Sequence, residues 1–329
     1  MSDKFALFGK DLFGQPVHHA PGAVAGVLAA RFVIPPFSVL DARSGAWQER
    51  KRAWLALGIK SDVGRGGNLI GHSKLTAIDK PEAVPNVSGT ASGFGDASVP
   101  SGKDTSIFDP VLAECAYSWW APPGGHVLDP FAGGSVRGIV AATLGREYTG
   151  IDLRAEQVEA NRAQSEAICT GRSPRWVIGD SLDVLRMAAA PDADFIFSCP
   201  PYGDLEVYSN DPQDLSTMTP AAFLVAYREI VRLSLARLKP DRFAAFVVGD
   251  YRRRDGTYAN FPGETTAAFE AAGARLYNEA IMVTQAATVG LRVSGQFDGN
   301  RKLGKTHQNL LVFVKGDPRK AAAACGAAG

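Results

Sequence analysis

Three carboxylates that follow short apolar runs are the residues of this chain best suited to holding a ligand. Asp129, Asp152 and Asp180 each close a run that reads as a β-strand, and Gly133 and Gly134 form a turn after the first run. In an open α/β sheet, ligands bind beyond the carboxyl ends of the strands, and glycine lets the backbone approach a cofactor closely. The distance of Asp152 from the glycine turn suits the acid that binds a ribose in Rossmann-like folds. Taken singly, Asp152 and Asp180 fit a turn or a helix cap equally well.

The elements that must position these acids alternate along the chain. A fourth apolar run, residues 193–197, leads into Cys199-Pro200-Pro201-Tyr202, and a fifth covers residues 242–248. Amphipathic helices are predicted between and around the strands, over residues 109–120, 155–168, 219–238 and about 264–272. This alternation predicts an α/β class with a mostly parallel sheet.

The ordered motifs resemble a known family. Asp-Pro-Phe-Ala-Gly-Gly (129–134), Gly-Ile-Asp (150–152), Gly-Asp (179–180) and Cys-Pro-Pro-Tyr (199–202) are similar to those of the AdoMet-dependent DNA amino-methyltransferases, which methylate the exocyclic nitrogen of adenine or cytosine. The resemblance covers residues 105–315. It implies a Rossmann-like class I methyltransferase fold with a seven-stranded, mostly parallel sheet, helices on both faces and a closing hairpin of the last two strands. It also implies a bacterial or phage enzyme of the restriction-modification type.

The resemblance implies S-adenosyl-L-methionine (AdoMet) as the cofactor and assigns its adenosine half to two strand ends. Asp152 would accept both ribose hydroxyls, and Asp180 would accept from the adenine amino group. Ser181 would add a contact. Carboxylates suit these roles because each offers two acceptor oxygens.

The methionine half of AdoMet is assigned to the first strand end. Asp129 and the backbone amides of the turn at Gly133 would face the amino-acid moiety. Phe131 would place an aromatic surface near the sulfonium cation. The same resemblance places residues 105–108, just before the helix at 109–120, in the lining of the pocket.

The second substrate is argued from Ser198, Cys199, Pro200, Pro201 and Tyr202. An exocyclic base nitrogen is a poor nucleophile because its lone pair is delocalised into the ring. Acceptors that hold its hydrogens favour a pyramidal nitrogen aimed at the methyl group. The prolines stiffen the loop and leave the Pro200 carbonyl to accept, while Tyr202 offers a stacking face for an everted base. A buried turn with a packed aromatic ring is the alternative.

Cys199 departs from the family, which usually has Asp, Asn or Ser at this position. A thiol is a weak acceptor, and its size is close to that of Ser, the usual residue in cytosine-N4 enzymes. Alternatively, Cys199 is a nucleophile that adds to cytosine C6 and activates C5 for methylation. Against this, the cytosine-C5 family has its cysteine after a proline and a Glu-Asn-Val element that this chain lacks. An RNA methyltransferase and a non-catalytic nucleic-acid-binding regulator on a degenerate methyltransferase fold are further alternatives.

A DNA substrate requires a basic surface, and the sequence offers candidates near the predicted site. Residues 289–305 read as a flexible basic loop that follows phosphates, with a solvated hairpin as the alternative. Residues 252–254 form an Arg-Arg-Arg run after the fifth strand, on the same edge of the sheet. The predicted nucleic-acid contacts are Arg252, Arg292, Arg301, Lys302 and Lys305.

Composition describes an ordinary globular chain of 329 residues with a net charge of +1, which neither requires nor excludes nucleic acid. The four cysteines are too widely spaced to suggest disulfides or zinc, and no membrane span or signal segment is evident, so a cytoplasmic location is expected. A basic run at residues 50–52 fits either a solvated helix face or a phosphate contact. The predicted organisation is an N-terminal extension with a short basic helix (1–60), a flexible linker or loop (61–103), a catalytic domain (104–316) and a disordered tail (317–329).

Overall fold

The computed structural model describes residues 31–60, 108–187, 193–202, 209, 211–253, 255–284 and 289–326. The predicted linker, residues 61–103, lies outside the described residues, as do residues 105–107 of the predicted pocket lining. The strands are β1 (Val39–Asp41), β2 (His126–Asp129), β3 (Glu147–Asp152), β4 (Arg175–Ile178), β5 (Ala193–Ser198), β6 (Leu238–Val248), β7 (Arg275–Val283) and β8 (His307–Lys315). The helices are α1 (Gly45–Ala56), α2 (Pro110–Trp120), α3 (Val136–Thr143), α4 (Ala155–Ile168), α5 (Ser181–Arg186), α6 (Pro220–Arg237), α7 (Phe261–Ala271), α8 (Val289–Asn300) and α9 (Pro318–Ala324).

All of these strands form one sheet in the order β1-β7-β8-β6-β5-β2-β3-β4. The pairings are parallel except that β8 runs antiparallel to both β6 and β7. From β4 to β7 this is the strand order of the Rossmann-like class I methyltransferase fold, including the closing β7–β8 hairpin. The predicted α/β class and mostly parallel sheet are therefore confirmed.

The sheet has eight strands, not the seven predicted, because the N-terminal extension contributes one. β1 pairs in parallel with β7 at the edge of the sheet, with Leu40 opposite Met282. Ser44 then caps the predicted basic helix α1, and its side-chain oxygen accepts from the Trp47 amide. The extension is thus built onto the same sheet as the rest of the described chain.

The basic run of residues 50–52 is largely taken up by this attachment. Arg50 Nε donates to Glu114 of α2 at 2.6 Å, and Trp54 Nε1 donates to the same buried carboxylate at 2.8 Å. Lys51 lies 3.5 Å from Asp109, the residue that caps α2. Two of the three cations therefore hold α1 on α2, which favours a structural role for this run.

The core consists of two layers because side chains alternate between the faces of each strand. Phe195 and Phe197 of β5 pack on the side of α2 and α3, and Ile196 packs on the side of α6 and α7. β6 follows the same alternation, with Phe243 on the first side and Phe246 on the second. Helices therefore cover both faces and leave the carboxyl edge of the sheet for the loops.

Two sequence predictions outside the core are wrong. Residues 289–300 form the helix α8, although residues 289–305 were expected to be a flexible loop. The tail was expected to be disordered, but residues 318–324 form α9, which Asp317 caps and which buries Ala321 against the sheet. Within the described residues, none of the helices has the length and apolar character needed to span a bilayer.

Candidate active site

A buried network of hydrogen bonds centred on Asp129 supports the turn after β2. This carboxylate is 0% exposed. Its Oδ2 accepts from Arg137 Nε at 2.6 Å and from the Tyr148 hydroxyl at 2.7 Å. Its Oδ1 accepts from the Phe131 amide at 3.2 Å and from the Ser198 hydroxyl. These donors assign the fully buried Asp129 carboxylate a supporting role in the turn, and its predicted contact with the amino-acid moiety stays a prediction.

Arg137 extends this network to the backbone of the turn. Its Nη2 donates to the carbonyls of Phe131 and Ala132 at 2.6 and 2.9 Å. Burial lowers the pKa of Arg137, but the charge of Asp129 raises it, and the net change is upward. Burial raises the pKa of Tyr148 well above its ordinary value, and the neighbouring Asp129 adds to the rise. The network therefore holds a charged Arg137–Asp129 pair and a neutral phenol.

The glycine turn leaves space in front of it. Gly133 has a φ of +52°, a conformation that favours glycine, and a Cβ placed there would meet no atom within 4 Å. On the opposite side the packing is tight, since a Cβ at Gly138 of α3 would lie 2.5 Å from the Trp176 ring. Gly133 therefore keeps an open backbone surface at the turn, and Gly138 lets α3 approach the sheet closely.

Asp152 and Asp180 lie on the same edge beside this turn. Asp152 Oδ2 accepts from the Gly133 amide at 2.9 Å, and the Asp152 carbonyl accepts from the Gly179 amide at 3.0 Å. Asp180 caps α5 by accepting from the Leu182 amide at 2.8 Å. Burial raises the pKa of Asp180, although that hydrogen bond lowers it. The ends of β2, β3 and β4 are therefore brought together as the sequence predicts.

Two further residues predicted to contact the cofactor are held by the protein itself. The Ser181 hydroxyl donates to the Pro130 carbonyl at 2.5 Å, which fastens α5 to the turn. The half-buried Phe131 ring stacks on Tyr227 with centroids 6.1 Å apart, and it meets Phe246 edge-on. Phe131 therefore projects toward the α6 side of the turn.

The Cys-Pro-Pro-Tyr loop starts from the same network. Ser198, the last residue of β5, donates to Asp129, and its oxygen accepts from the Phe131 amide at 3.2 Å. Pro200 is buried, whereas Cys199 and Tyr202 are half-buried. The loop that is predicted to hold the base is thus joined directly to the turn that is predicted to hold the cofactor.

Tyr202 is fixed at both ends of its side chain. Its hydroxyl accepts from Gln308 Nε2 of β8 at 3.0 Å and lies 3.6 Å from Cys199 Sγ. Its ring meets Phe261 edge-on at 6.0 Å. A Cβ placed on Gly249 would lie 3.8 Å from Tyr202 Cζ and 3.9 Å from Lys305 Nζ, so the Lys305 amine lies on the same side of Gly249 as the Tyr202 ring. Burial lowers the pKa of Lys305, and Asp250 partly offsets the change.

The other residues predicted to contact nucleic acid differ in whether their charged groups are exposed or held by contacts within the protein. Arg252 donates to the Gly256 carbonyl at 2.9 Å and lies over the Tyr258 ring. Arg301 is 72% exposed, and Lys302 places its amine against Gly256. Arg292 belongs to α8, but its side chain lies outside the described part, as does the whole of Arg254.

The sequence analysis gave no role to four supporting residues. Arg137, Tyr148, Ser198 and Gln308 hold the turn, the loop and Tyr202 in place. Arg137 had a usable signal, because it is the single charge in the otherwise apolar and small run 136–142, and Ser198 directly precedes the Cys-Pro-Pro-Tyr motif. Long-range pairing brings Tyr148 and Gln308 into the site, so no local pattern marks those two.

Among the described residues, no group of three or more His, Cys, Asp or Glu side chains could hold a metal ion. No family model matches the sequence, and no curated protein matches it. Solved structures match only at the level of the fold. TrmN from Thermus thermophilus is 21% identical, with a TM-score of 0.43, over 63% of this chain and 49% of that protein. This chain therefore spans about half of its length.

Two more structures give similar values. A TehB-like SAM-dependent methyltransferase from Corynebacterium glutamicum is 17% identical, with a TM-score of 0.37, over 59% of this chain and 82% of that one. The CcbJ methyltransferase from Streptomyces caelestis is 12% identical, with a TM-score of 0.41, over 63% and 90%. Such values identify no substrate, and the fold assignment rests on the strand order of this chain.

Proposed function

We propose that this chain is an AdoMet-dependent methyltransferase that modifies the exocyclic amino group of cytosine (N4) or adenine (N6) in DNA. The observation that carries the proposal is the junction at Ser198. Through it, the open glycine turn, with Asp152 and Asp180 beside it, shares one hydrogen-bond network with the Cys-Pro-Pro-Tyr loop. A methyl donor and a base held at these two places would lie next to each other.

The residues of the turn and of the strand ends suit AdoMet. The open surface at Gly133 admits a ligand next to the backbone. Asp152 lies beside the open turn, where its Oδ2 accepts from the Gly133 amide and its Oδ1 accepts from the Arg154 amide, and a carboxylate is the acceptor type that ribose hydroxyls require. Asp180 Oδ1 caps α5, which leaves its other oxygen to accept from an adenine amino group. When bound, AdoMet supplies an electrophilic methyl group on a sulfonium.

The chain would orient the amino nitrogen for attack on the methyl group. The positive charge that methylation places on this nitrogen would disappear when the nitrogen loses a proton. Tyr202, fixed by Gln308 and Phe261, would stack on the everted base. The Pro200 carbonyl would accept one amino hydrogen and so aim the nitrogen lone pair at the methyl carbon. Transfer would form the new N–C bond as the C–S bond breaks, would leave that electron pair on the sulfur, and would release one amino proton to water.

Methylation at cytosine C5 is a second candidate, because it would use the thiol of Cys199, which lies in the same loop as Tyr202 with its Sγ 3.6 Å from the Tyr202 hydroxyl. Amino methylation remains the proposal, because Cys199 occupies the position at which the family has Asp, Asn or Ser.

Transfer of labelled methyl groups from AdoMet to DNA and to RNA tests the proposal. The purified chain should bind AdoMet in calorimetry and label native, unmethylated DNA more than RNA. Labelling of RNA alone would replace the DNA assignment with the RNA alternative. Tight AdoMet binding without transfer to any nucleic acid would favour the regulatory alternative.

A further inference from the structure

Helix α1 of the N-terminal extension places two buried indoles against two buried carboxylates of the segment that forms α2. Trp47 Nε1 donates to both oxygens of Asp109 at 3.2 Å, and Trp54 Nε1 donates to Glu114 at 2.8 Å. All four of these side chains are buried. The two contacts are chemically alike, but they lie at different places, since Asp109 caps α2 and Glu114 lies in its second turn.

The Asp109 carboxylate joins α1 to the first turn of α2. It caps α2 by accepting from the amides of Val111 and Leu112 at 2.9 and 3.4 Å. The same carboxylate accepts from the Trp47 indole, and Lys51 Nζ lies 3.5 Å from it. Hydrogen bonds to a charged acceptor are stronger than those between neutral groups. The backbone position at Asp109 therefore depends on the extension, and so does the position of the residue before it.

The residue before Asp109 is Phe108, whose half-buried ring contacts both parts of the candidate active site. The guanidinium carbon of Arg137 lies over this ring, 4.6 Å from its centroid. The ring also meets Phe197 edge-on, with centroids 5.6 Å apart. Arg137 holds two carbonyls of the glycine turn, and Phe197 directly precedes Ser198. A shift of Phe108 would therefore remove packing from the groups that support the turn.

We propose that Trp47 is a positioning residue for the cofactor site and acts through Asp109 and Phe108 on Arg137. The extension would then support AdoMet binding as well as adding a strand to the sheet. Without the indole N–H, the buried Asp109 carboxylate would lose a donor that anchors the first turn of α2. The proposal rests on AdoMet binding at the glycine turn, as in the proposed function, and it holds for a DNA or an RNA substrate.

Calorimetric titration of AdoMet into variants of the full chain tests this, with each protein kept below its thermal midpoint. Trp47→Phe keeps an aromatic ring but removes the indole N–H, and it should raise the Kd for AdoMet by about fivefold. Phe108→Leu removes the ring that contacts Arg137 and leaves Trp47 paired with Asp109, and it should raise the Kd by a similar factor. The double variant should bind AdoMet no more weakly than the weaker single variant, because both changes break one connection.

Trp54→Phe is the matched control, because it removes the same kind of hydrogen bond from Glu114, farther along α2. In each tryptophan variant the carboxylate keeps its neighbouring cation, which is Lys51 for Trp47→Phe and Arg50 for Trp54→Phe. Both variants should have a lowered thermal midpoint, because each leaves a buried carboxylate with one donor fewer. Trp54→Phe should nevertheless keep the Kd for AdoMet within about twofold of wild type.

A wild-type Kd in Trp47→Phe or in Phe108→Leu would overturn the proposal and leave the methyltransferase assignment intact. A Kd raised equally by Trp47→Phe and Trp54→Phe would overturn it as well, because that result would reflect a general loss of stability. Phe108→Leu keeps both indoles, so it can contradict the proposal even where Trp47→Phe does not fold. Absence of AdoMet binding by the wild type is a different result, since it removes the cofactor site and the proposed function together.

Discussion

At the scale of single residues, the buried Asp129–Arg137 pair controls the shape of the site. The carboxylate is fully buried, and the guanidinium is 4% exposed. Removing either partner leaves the other as an uncompensated buried charge, a far larger penalty than the loss of a surface pair. Arg137 also holds two carbonyls of the turn, so its loss would release the backbone at the cofactor edge.

Arg137→Met should therefore lower the free energy of unfolding by about 3 to 5 kcal/mol. Urea denaturation followed by tryptophan fluorescence measures this. AdoMet affinity should fall as well, because the turn loses its support.

Arg172→Met is the control for this change. Arg172 pairs with Glu147, and both side chains are more than half exposed. Such pairs contribute about 0 to 1 kcal/mol. If Arg137→Met cost no more than Arg172→Met, the buried network would not support the turn.

At the scale of elements, the segment joining α8 to β8 places the partly buried Lys305 amine near Tyr202, the residue proposed to stack on the base. Burial lowers the pKa of Lys305 from 10.5, with Asp250 opposing the change. His307 at the start of β8 is a second titratable neighbour, and its own pKa is lowered by burial and then by Lys305. The protonated amine favours phosphate, so its contribution to DNA affinity is present below the lowered pKa and lost as the pH rises through it.

The DNA affinity of the wild type should therefore fall as the pH rises, and the fall should begin at a lower pH than it would if Lys305 had the pKa of an ordinary lysine. Lys305→Arg should remove most of this decline, because arginine keeps its charge. Fluorescence anisotropy with duplex DNA between about pH 8 and pH 10 checks both curves. Parallel declines in the two proteins would show that Lys305 does not contact DNA.

A second element-scale prediction concerns α9, which replaces the expected disordered tail. Ala321 is fully buried against the sheet, whereas Ala323 of the same helix is exposed. Ala321→Lys should cost at least about 2 kcal/mol, because it forces a charge or a longer side chain into the core. Ala323→Lys should change stability by less than about 0.5 kcal/mol.

Thermal denaturation of the two alanine variants makes the comparison within one helix. Equal midpoints would mean that α9 does not pack on the sheet in solution. A midpoint lowered only in Ala321→Lys would confirm that the tail is part of the fold.

At the scale of the whole molecule, the sequence predicts β2 to β6 and the longer helices α4 and α6 between them, but not the short α5, because alternation, caps and turns are local signals. Asp109 before Pro110 is one example, since it caps α2 as expected. β1 is only three residues long and depends on pairing with β7, more than 230 residues later, so no local pattern reveals its partner. α8 carries Gly290, Gly295 and Gly299, whose low helix propensity indicated a loop, yet residues 289–300 form a helix in which residues 294–300 are exposed.

The tail and the site show two further limits. Asp317 and Pro318 before an alanine run are start signals for a helix, so α9 was predictable from the sequence. The prediction of a disordered tail gave more weight to the position of these residues near the end of the sequence. At the site, the strand ends of Asp152 and Asp180 were placed correctly because they follow from the α/β alternation. The contacts of Asp129 were not, because they depend on Arg137 and Ser198 arriving from other elements.

The central claim is that the cofactor edge and the Cys-Pro-Pro-Tyr loop form one centre that methylates an amino nitrogen. Mass spectrometry of nucleosides from DNA treated with the wild type and with Cys199→Ser, each supplied with methyl-deuterated AdoMet, tests it most directly. We expect deuterated N4-methylcytosine or N6-methyladenine from both proteins. Deuterated 5-methylcytosine from the wild type, together with no product from Cys199→Ser, would contradict the claim.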